Sequence, residues 1–118
     1  MVCFDHEKLD AYQVAIELVV LIDEIIERLP RGRAYLADQL QRAGTSIPLN
    51  IAEGAGNSSV KEFSRFLDYA IRSGFECIGC ADIALENEFI QEPCHREIGL
   101  TVNEIIAMLD GLQKSLTR

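Results

Sequence analysis

The sequence predicts an all-α fold, an antiparallel up-and-down four-helix bundle whose second helix is kinked at Pro48. Three observations carry that expectation. Apolar residues recur at spacings of three and four through four long segments. No stretch alternates apolar and polar residues in the manner of a strand. Short links carrying Pro30 and Gly32, Gly54 and Gly56, and Pro93 separate the segments, and short links join neighbouring helices of a bundle. At 118 residues the chain, 1–118, is one domain, long enough to bury roughly two-thirds of its unfolded surface.

Helix 1 starts at Asp5 or His6 and runs to about Leu29, where Pro30 and Gly32 end it. On a wheel of ~100° per residue, Asp10, Gln13, Glu17, Glu24 and Arg28 share one narrow polar strip. Leu9, Tyr12, Ile16, Val19 and Ile26 form one apolar stripe, and Val14, Leu18, Leu21, Ile22, Ile25 and Leu29 form a second. One bundle core uses an apolar arc of about 100° or slightly more, and this helix carries roughly twice that. Another copy of the chain is the expected cover, with Val14, Leu18, Leu21 and Ile25 as candidate subunit contacts. The alternative is a helix buried deeply within one bundle.

Helix 2 begins near Arg33 and presents Leu36, Leu40, Ala43, Ile47, Ile51 and Gly54 on one face. Pro48 falls inside this pattern, loses one backbone bond and crowds the carbonyl of Gly44. The hydroxyls of Thr45 and Ser46 stand ready to satisfy freed backbone groups. The expectation is a kinked but continuous helix, with a break at Pro48 as the alternative. Gly54 and Gly56 supply the C-terminal stop. Ser59-Val60-Lys61-Glu62 then reads as a capping box: the Ser59 hydroxyl takes the Glu62 amide and the Glu62 carboxylate reaches back.

Helix 3 runs from Val60 to about Asn87 on Val60, Phe63, Leu67, Ala70, Gly74, Ile78, Ala81 and Leu85. Lys61, Arg65, Asp68, Arg72, Glu76 and Glu86 form its solvated side, flanked by partly exposed Tyr69 and Phe75. Helix 4 opens near Gln91 or Glu92, with Pro93 tolerated in its first turn, and continues to Leu116. Cys94, Ile98, Val102, Ile105, Leu109, Leu112 and Leu116 make its buried stripe.

The run LPRGRAYLADQLQRAGTSIPLNIAEG, followed by SVKEFSRFLDYA, resembles the four-helix-bundle family of 23S rRNA-intervening sequence proteins. Ser46-Ile47-Pro48 with Asn50-Ile51-Ala52-Glu53-Gly54 is its most specific part, and the likeness extends from about Lys8-Leu9-Asp10-Ala11-Tyr12-Gln13 to the last helix. Ser73 and Glu76 match positions in the family's third helix, whereas Arg72 stands where a small residue, often glycine, is expected. The resemblance implies a bundle that assembles into a ring, commonly of five subunits. A related branch serves as accessory subunit to the reverse transcriptase of diversity-generating retroelements and binds nucleic acid.

Net charge is −8 and the isoelectric point about 4.7. That balance disfavours broad attraction to phosphate backbones or anionic membranes and leaves room for a local basic patch. Glu17, Asp23 and Glu24 interrupt the longest apolar run, so no membrane span is expected. Asp5 and Glu7 do not suit a signal peptide, and the expected location is the cytoplasm.

No residue pattern indicates catalysis, a metal or a cofactor, so a non-enzymatic protein is expected. Cys77-Ile78-Gly79-Cys80 lies mid-helix, where zinc loops turn sharply, and Cys94-His95 lacks ligand spacing. Thioredoxin-like chemistry requires a βαβ context. Glu92-Pro93-Cys94-His95 matches one Glu-x-x-His of a di-iron bundle, but those sites need two copies, and at the only other histidine, His6, Cys3 stands in the glutamate's place.

Asn50 and Glu53 lie beside the proline, either as structural groups, with Asn50 bonding backbone freed by Pro48, or as ligand contacts. Arg31, Arg33, Arg42, Lys61, Arg65 and Arg72 are the candidate interaction patch, read either as ordinary paired surface cations or as phosphate contacts. Aromatic interleaving for single strands is thin. The expected function is that of a homo-oligomeric scaffold, pentameric by resemblance, that engages a protein or ribonucleoprotein partner. Direct nucleic-acid binding is the alternative.

Overall fold

The structure, a computed structural model, describes residues 6–56 and 59–116. Asp5 and Cys3, which entered the readings above, lie outside the described residues. Four helices account for nearly all of the described chain: α1 His6–Arg28, α2 Ala34–Ala55, α3 Val60–Glu86 and α4 Glu92–Leu116, with a single 3-10 turn at Arg31–Arg33 ahead of α2. Each helix packs on two others, α1 on α2 and α4, α3 on α2 and α4, and the α2–α3 pair is the most extensive.

The register follows from side-chain pairs that ascend along one helix and descend along the next. Gln39 Nε2 meets Glu76 Oε2 at 3.1 Å, and Ser73 Oγ meets Ser46 Oγ at 2.8 Å. Between α3 and α4, Gln113 donates to Asp68 Oδ1 at 2.6 Å and His95 Nε2 lies 2.7 Å from Asp82 Oδ1. The molecule measures 45 × 22 × 19 Å.

The core is continuous and wholly apolar among the described residues. Every expected position of α2, from Leu36 to Gly54, is buried, and so are Gly44 and Pro48. In α4 the buried set is Ile98, Val102, Ile105, Leu109 and Leu112, with Cys94 and Leu116 packed at its margins. α3 departs in detail. Val60 is exposed, Ile78 and Leu85 are half-buried, and Cys77, Cys80 and Ala84 take buried places the spacing did not single out.

Helix 1 requires a larger correction. Its core face is Ala11, Ala15, Leu18, Ile22 and Ile25, with Leu18 at 0% and Ile25 at 1% exposure. These two candidate subunit contacts therefore belong to the chain's own core, and Val14 and Leu21 pack half-buried against it. The small side chains of the two alanines add little to a hydrophobic stripe, so spacing does not single them out. They shift the buried arc, and the apolar surplus falls on the opposite face, at Leu9, Ile16 and Val20, exposed by 38%, 41% and 54%.

α2 runs unbroken through Pro48. Thr45 Oγ1 donates to the Gln41 carbonyl at 2.6 Å, while the Asn50 amide donates to the carbonyl and the hydroxyl of Ser46, each at 2.8 Å. Asn50 thus serves Ser46 and not the Gly44 carbonyl that Pro48 leaves without its amide. α2 ends with the Gly56 amide on the Ala52 carbonyl at 3.2 Å. Gly56 has φ −78°, so the stop uses no left-handed residue.

Gly54 has a different purpose. A Cβ built there would stand 2.7 Å from both Phe63 Cδ1 and Phe66 Cβ, so its missing side chain lets α3 close on α2. At the start of α3 the Ser59 hydroxyl accepts the Glu62 amide at 3.2 Å, as the capping pattern requires. The Glu62 carboxylate accepts Arg65 at 2.6 Å, which is the contact it makes in place of the expected return to Ser59.

The α3–α4 link is held by a left-handed residue. Glu88 has φ 60°, its amide reaches Leu85 O at 2.9 Å, and the Phe89 amide reaches Ala84 O at 2.8 Å. This crossed pair of bonds is a Schellman motif with Glu88 where glycine is favoured. Glu88→Gly is expected to raise stability by roughly 0.5–1 kcal/mol, since a side chain at positive φ is strained. Chemical denaturation with an unchanged slope is the check, and a lower midpoint would contradict it.

Candidate functional site

Three of the residues that carry the resemblance, Ser46, Asn50 and Ser73, meet at one seam between α2 and α3. Ser46 sits where its hydroxyl accepts from both Asn50 Nδ2 and Ser73 Oγ, at 2.8 Å each, so one residue ties a turn of α2 to the middle of α3. All three are half-buried, and each bond replaces water contacts that packing removes. One level away, Glu76 takes the Gln39 amide. Pro48 is buried beneath this face and Gly54 lies under Phe63 and Phe66. Ser46, Asn50, Ser73, Glu76 and Gly54 therefore fasten the two helices together. Glu53 is exposed on the outer face of α2, alongside Arg42 and the exposed Leu49.

Arg72, which stands where the resemblance implies a small residue, is not at a close approach of helices; that approach is made at Gly74. Arg72 is exposed, and the neighbouring Gly74 turns inward, where an added Cβ would lie 3.3 Å from Ile106 of α4.

The six candidate cations do not gather into one patch. Arg31 and Arg33 belong to the 3-10 turn, and Arg33 places its guanidinium 4.9 Å from the centre of the Phe89 ring, across the end where α3 finishes. Lys61 stands in the first turn of α3, which at 27 residues is about 40 Å long. Arg42 is on the outer side of α2. Only Lys61, Arg65 and Arg72 share a helix face. Arg65 is engaged by Glu62 and lies over the rings of Phe66 and Tyr69, at 5.8 and 6.0 Å. That cation–aromatic cluster was not legible from spacing alone, because Phe66 had no assigned role.

The cysteines are packed thiols. Cys77, Cys80 and Cys94 are unbridged, and burial pushes the Cys77 thiol up to about 12, with Cys80 and Glu76 nearby adding to the effect. Burial also raises Cys80, then Glu76, while for Cys94 burial prevails over the opposing Arg28. Among the described residues no three histidine, cysteine or acidic side chains are placed to hold a metal ion. His95 of the Glu-x-x-His pattern turns to Asp82.

The raised Cys77 value has a sign for stability. The unfolded thiol ionises near 9 and the folded one near 12, so stability is full below pH 9 and falls as pH rises through that interval. A melting series across alkaline pH should show this fall, and Cys77→Ala should flatten it. A pH-independent difference between the two proteins would contradict the assignment.

These features define a class of protein: an all-α four-helix bundle in which Ser46, Asn50 and Ser73 tie α2 to α3. The chain matches the 23S rRNA-intervening sequence proteins over residues 7–111 and belongs to that family. Its fold is that of a crystallised protein of unknown function from Bacteroides thetaiotaomicron, of the S23 ribosomal protein family. That structure superposes with a TM-score of 0.85 at 23% identity, covering 92% of this chain and 98% of the other. Among curated proteins none matches.

Proposed function

We propose that this chain is a non-enzymatic scaffold that assembles with copies of itself and engages a protein or ribonucleoprotein partner in the cytoplasm. The observation that carries the reading is the apolar stripe Leu9, Ile16 and Val20, which lies on the face of α1 turned away from its own core. Three large apolar side chains at helical spacing on an outer face suit a covered surface better than a solvated one. A five-membered ring is the assembly that the family resemblance implies. No described helix is long and apolar enough to cross a membrane.

Light scattering tests the reading directly. The unmodified protein should have the mass of an oligomer, and Val20→Glu should reduce that mass while leaving helix content unchanged. A monomeric unmodified protein would overturn the reading.

A second reading, direct binding of nucleic acid, draws support from Arg65 over Phe66 and Tyr69 beside Lys61 and Arg72. The family name of the relatives, which refers to ribosomal RNA, points the same way. Against it stands the net charge of −8, multiplied in any assembly, which opposes the approach of a polyanion. Filter binding over a salt series should therefore show little retention of RNA or DNA at ~0.15 M salt. Tight binding with a steep salt slope, weakened by alanine at Lys61, Arg65 and Arg72, would place this reading first.

A further inference from the structure

We propose that the cleft between the end of α1 and the start of α4 is a binding site for a small molecule with an apolar body and a protonated amine. Its volume is about 370 Å³, and its residues come from three separate parts of the chain: α1, the α3–α4 link and the first turns of α4. The space along α2 is larger, at about 420 Å³, but all of its lining residues belong to one face of that helix, which makes it open surface.

Leu21, Ile25, Phe89 and Ile90 supply the apolar floor. Ile25 and Ile90 are almost fully buried, so the floor is continuous with the bundle core. Three charged side chains stand around it: Glu24 and Arg28 from α1, and Glu97 from α4. Two carboxylates against one guanidinium leave the cleft with a net negative charge. None of the ion pairs among the described residues uses any of the three. An apolar floor whose rim carries two carboxylates against one guanidinium suits an ammonium group on a hydrocarbon body better than the corresponding carboxylate.

The cleft is also held in shape before any ligand arrives. The Schellman turn at Glu88 fixes the backbone that presents Phe89 and Ile90. Arg33 stacks on Phe89 from the α1–α2 side, and the His95–Asp82 contact of 2.7 Å fastens the first turns of α4 to α3. A preformed site loses little freedom on binding, which favours small ligands. Cys94 lines the wall as a half-buried thiol and offers a chemical reporter of occupancy.

The test uses the whole protein, phenethylamine and its acidic counterpart 3-phenylpropionate, each titrated while amide proton–nitrogen correlations are followed. Phenethylamine should produce saturable shifts confined to the last turns of α1, the α3–α4 link and the first turns of α4, with a dissociation constant on the order of 1 mM. It should also slow alkylation of Cys94, and 3-phenylpropionate should bind more weakly and protect less. Glu24→Gln with Glu97→Gln should weaken the amine by at least about ten-fold while the melting temperature is maintained. Absence of saturable shifts, equal binding of the acid, or undiminished binding by the double variant would each overturn the assignment.

Discussion

Leu18→Glu is expected to abolish the cooperative unfolding transition altogether. Leu18 has no exposure and packs among Ala11, Ala15 and Ile22, with the Ile22 side chain itself pressed against Gly44 of α2. Truncating such a leucine to alanine costs roughly 2–5 kcal/mol. A carboxylate at the same place adds the cost of an unpaired buried charge, and no cation lines the core to meet it. Folded domains hold only about 5–15 kcal/mol in reserve. Circular dichroism with thermal melting should show lost helix and no sigmoidal transition. Two residues further on, Val20→Glu alters the face turned away from this core and should leave the chain folded and helical. A folded Leu18→Glu protein of reduced mass would restore Leu18 to a subunit interface and contradict the core described here.

The two helix-internal glycines of α2 should respond unequally to alanine. At Gly54 the new Cβ meets Phe66 Cβ at 2.7 Å, an atom fixed to the α3 backbone, so the helices themselves must separate. Gly54→Ala should cost roughly 1–3 kcal/mol through overpacking. At Gly44 the nearest atom is Ile22 Cδ1 at 2.5 Å, the free end of a flexible side chain. A rotamer shift of about 0.5–1.5 kcal/mol there is offset by alanine's better helix propensity, worth about 1 kcal/mol. Gly44→Ala should therefore lie within about 1 kcal/mol of the unmodified protein. Equal losses from the two substitutions, measured by urea denaturation, would show that the α2–α3 corner is no tighter than the α1–α2 contact.

Most of the fold was legible because helical spacing reports burial directly. α2 and α4 followed their apolar stripes almost residue for residue, and Ser59 capped α3 where its pattern placed it. Helix 1 was misread for a physical reason. Apolar residues cover most of its circumference, so hydrophobicity gives no phase, and the phase is set by Ala11 and Ala15, whose small size lets neighbouring helices approach. The seam was legible as a motif but not as an interaction. Asn50 and Ser46 are four apart and predict a local bond, whereas Ser73 lies 27 residues from Ser46 and joins them only once α2 and α3 are packed. The cleft had no signal at all, since its walls come from segments distant in sequence.

The proportions of the molecule bear on how it moves in solution. Its shortest helix, α2, spans about 33 Å, more than either of the two narrow dimensions, 22 and 19 Å, so every helix lies along the 45 Å axis. Helical N–H bonds point along their helix axes, and here nearly all of them align with the direction about which the rod spins fastest. Spinning about that direction leaves those bonds almost unmoved, so their nuclear relaxation reports the slower end-over-end rotation. Closing such rods side by side would widen the body and reduce this rod-like anisotropy, a change that relaxation detects independently of mass.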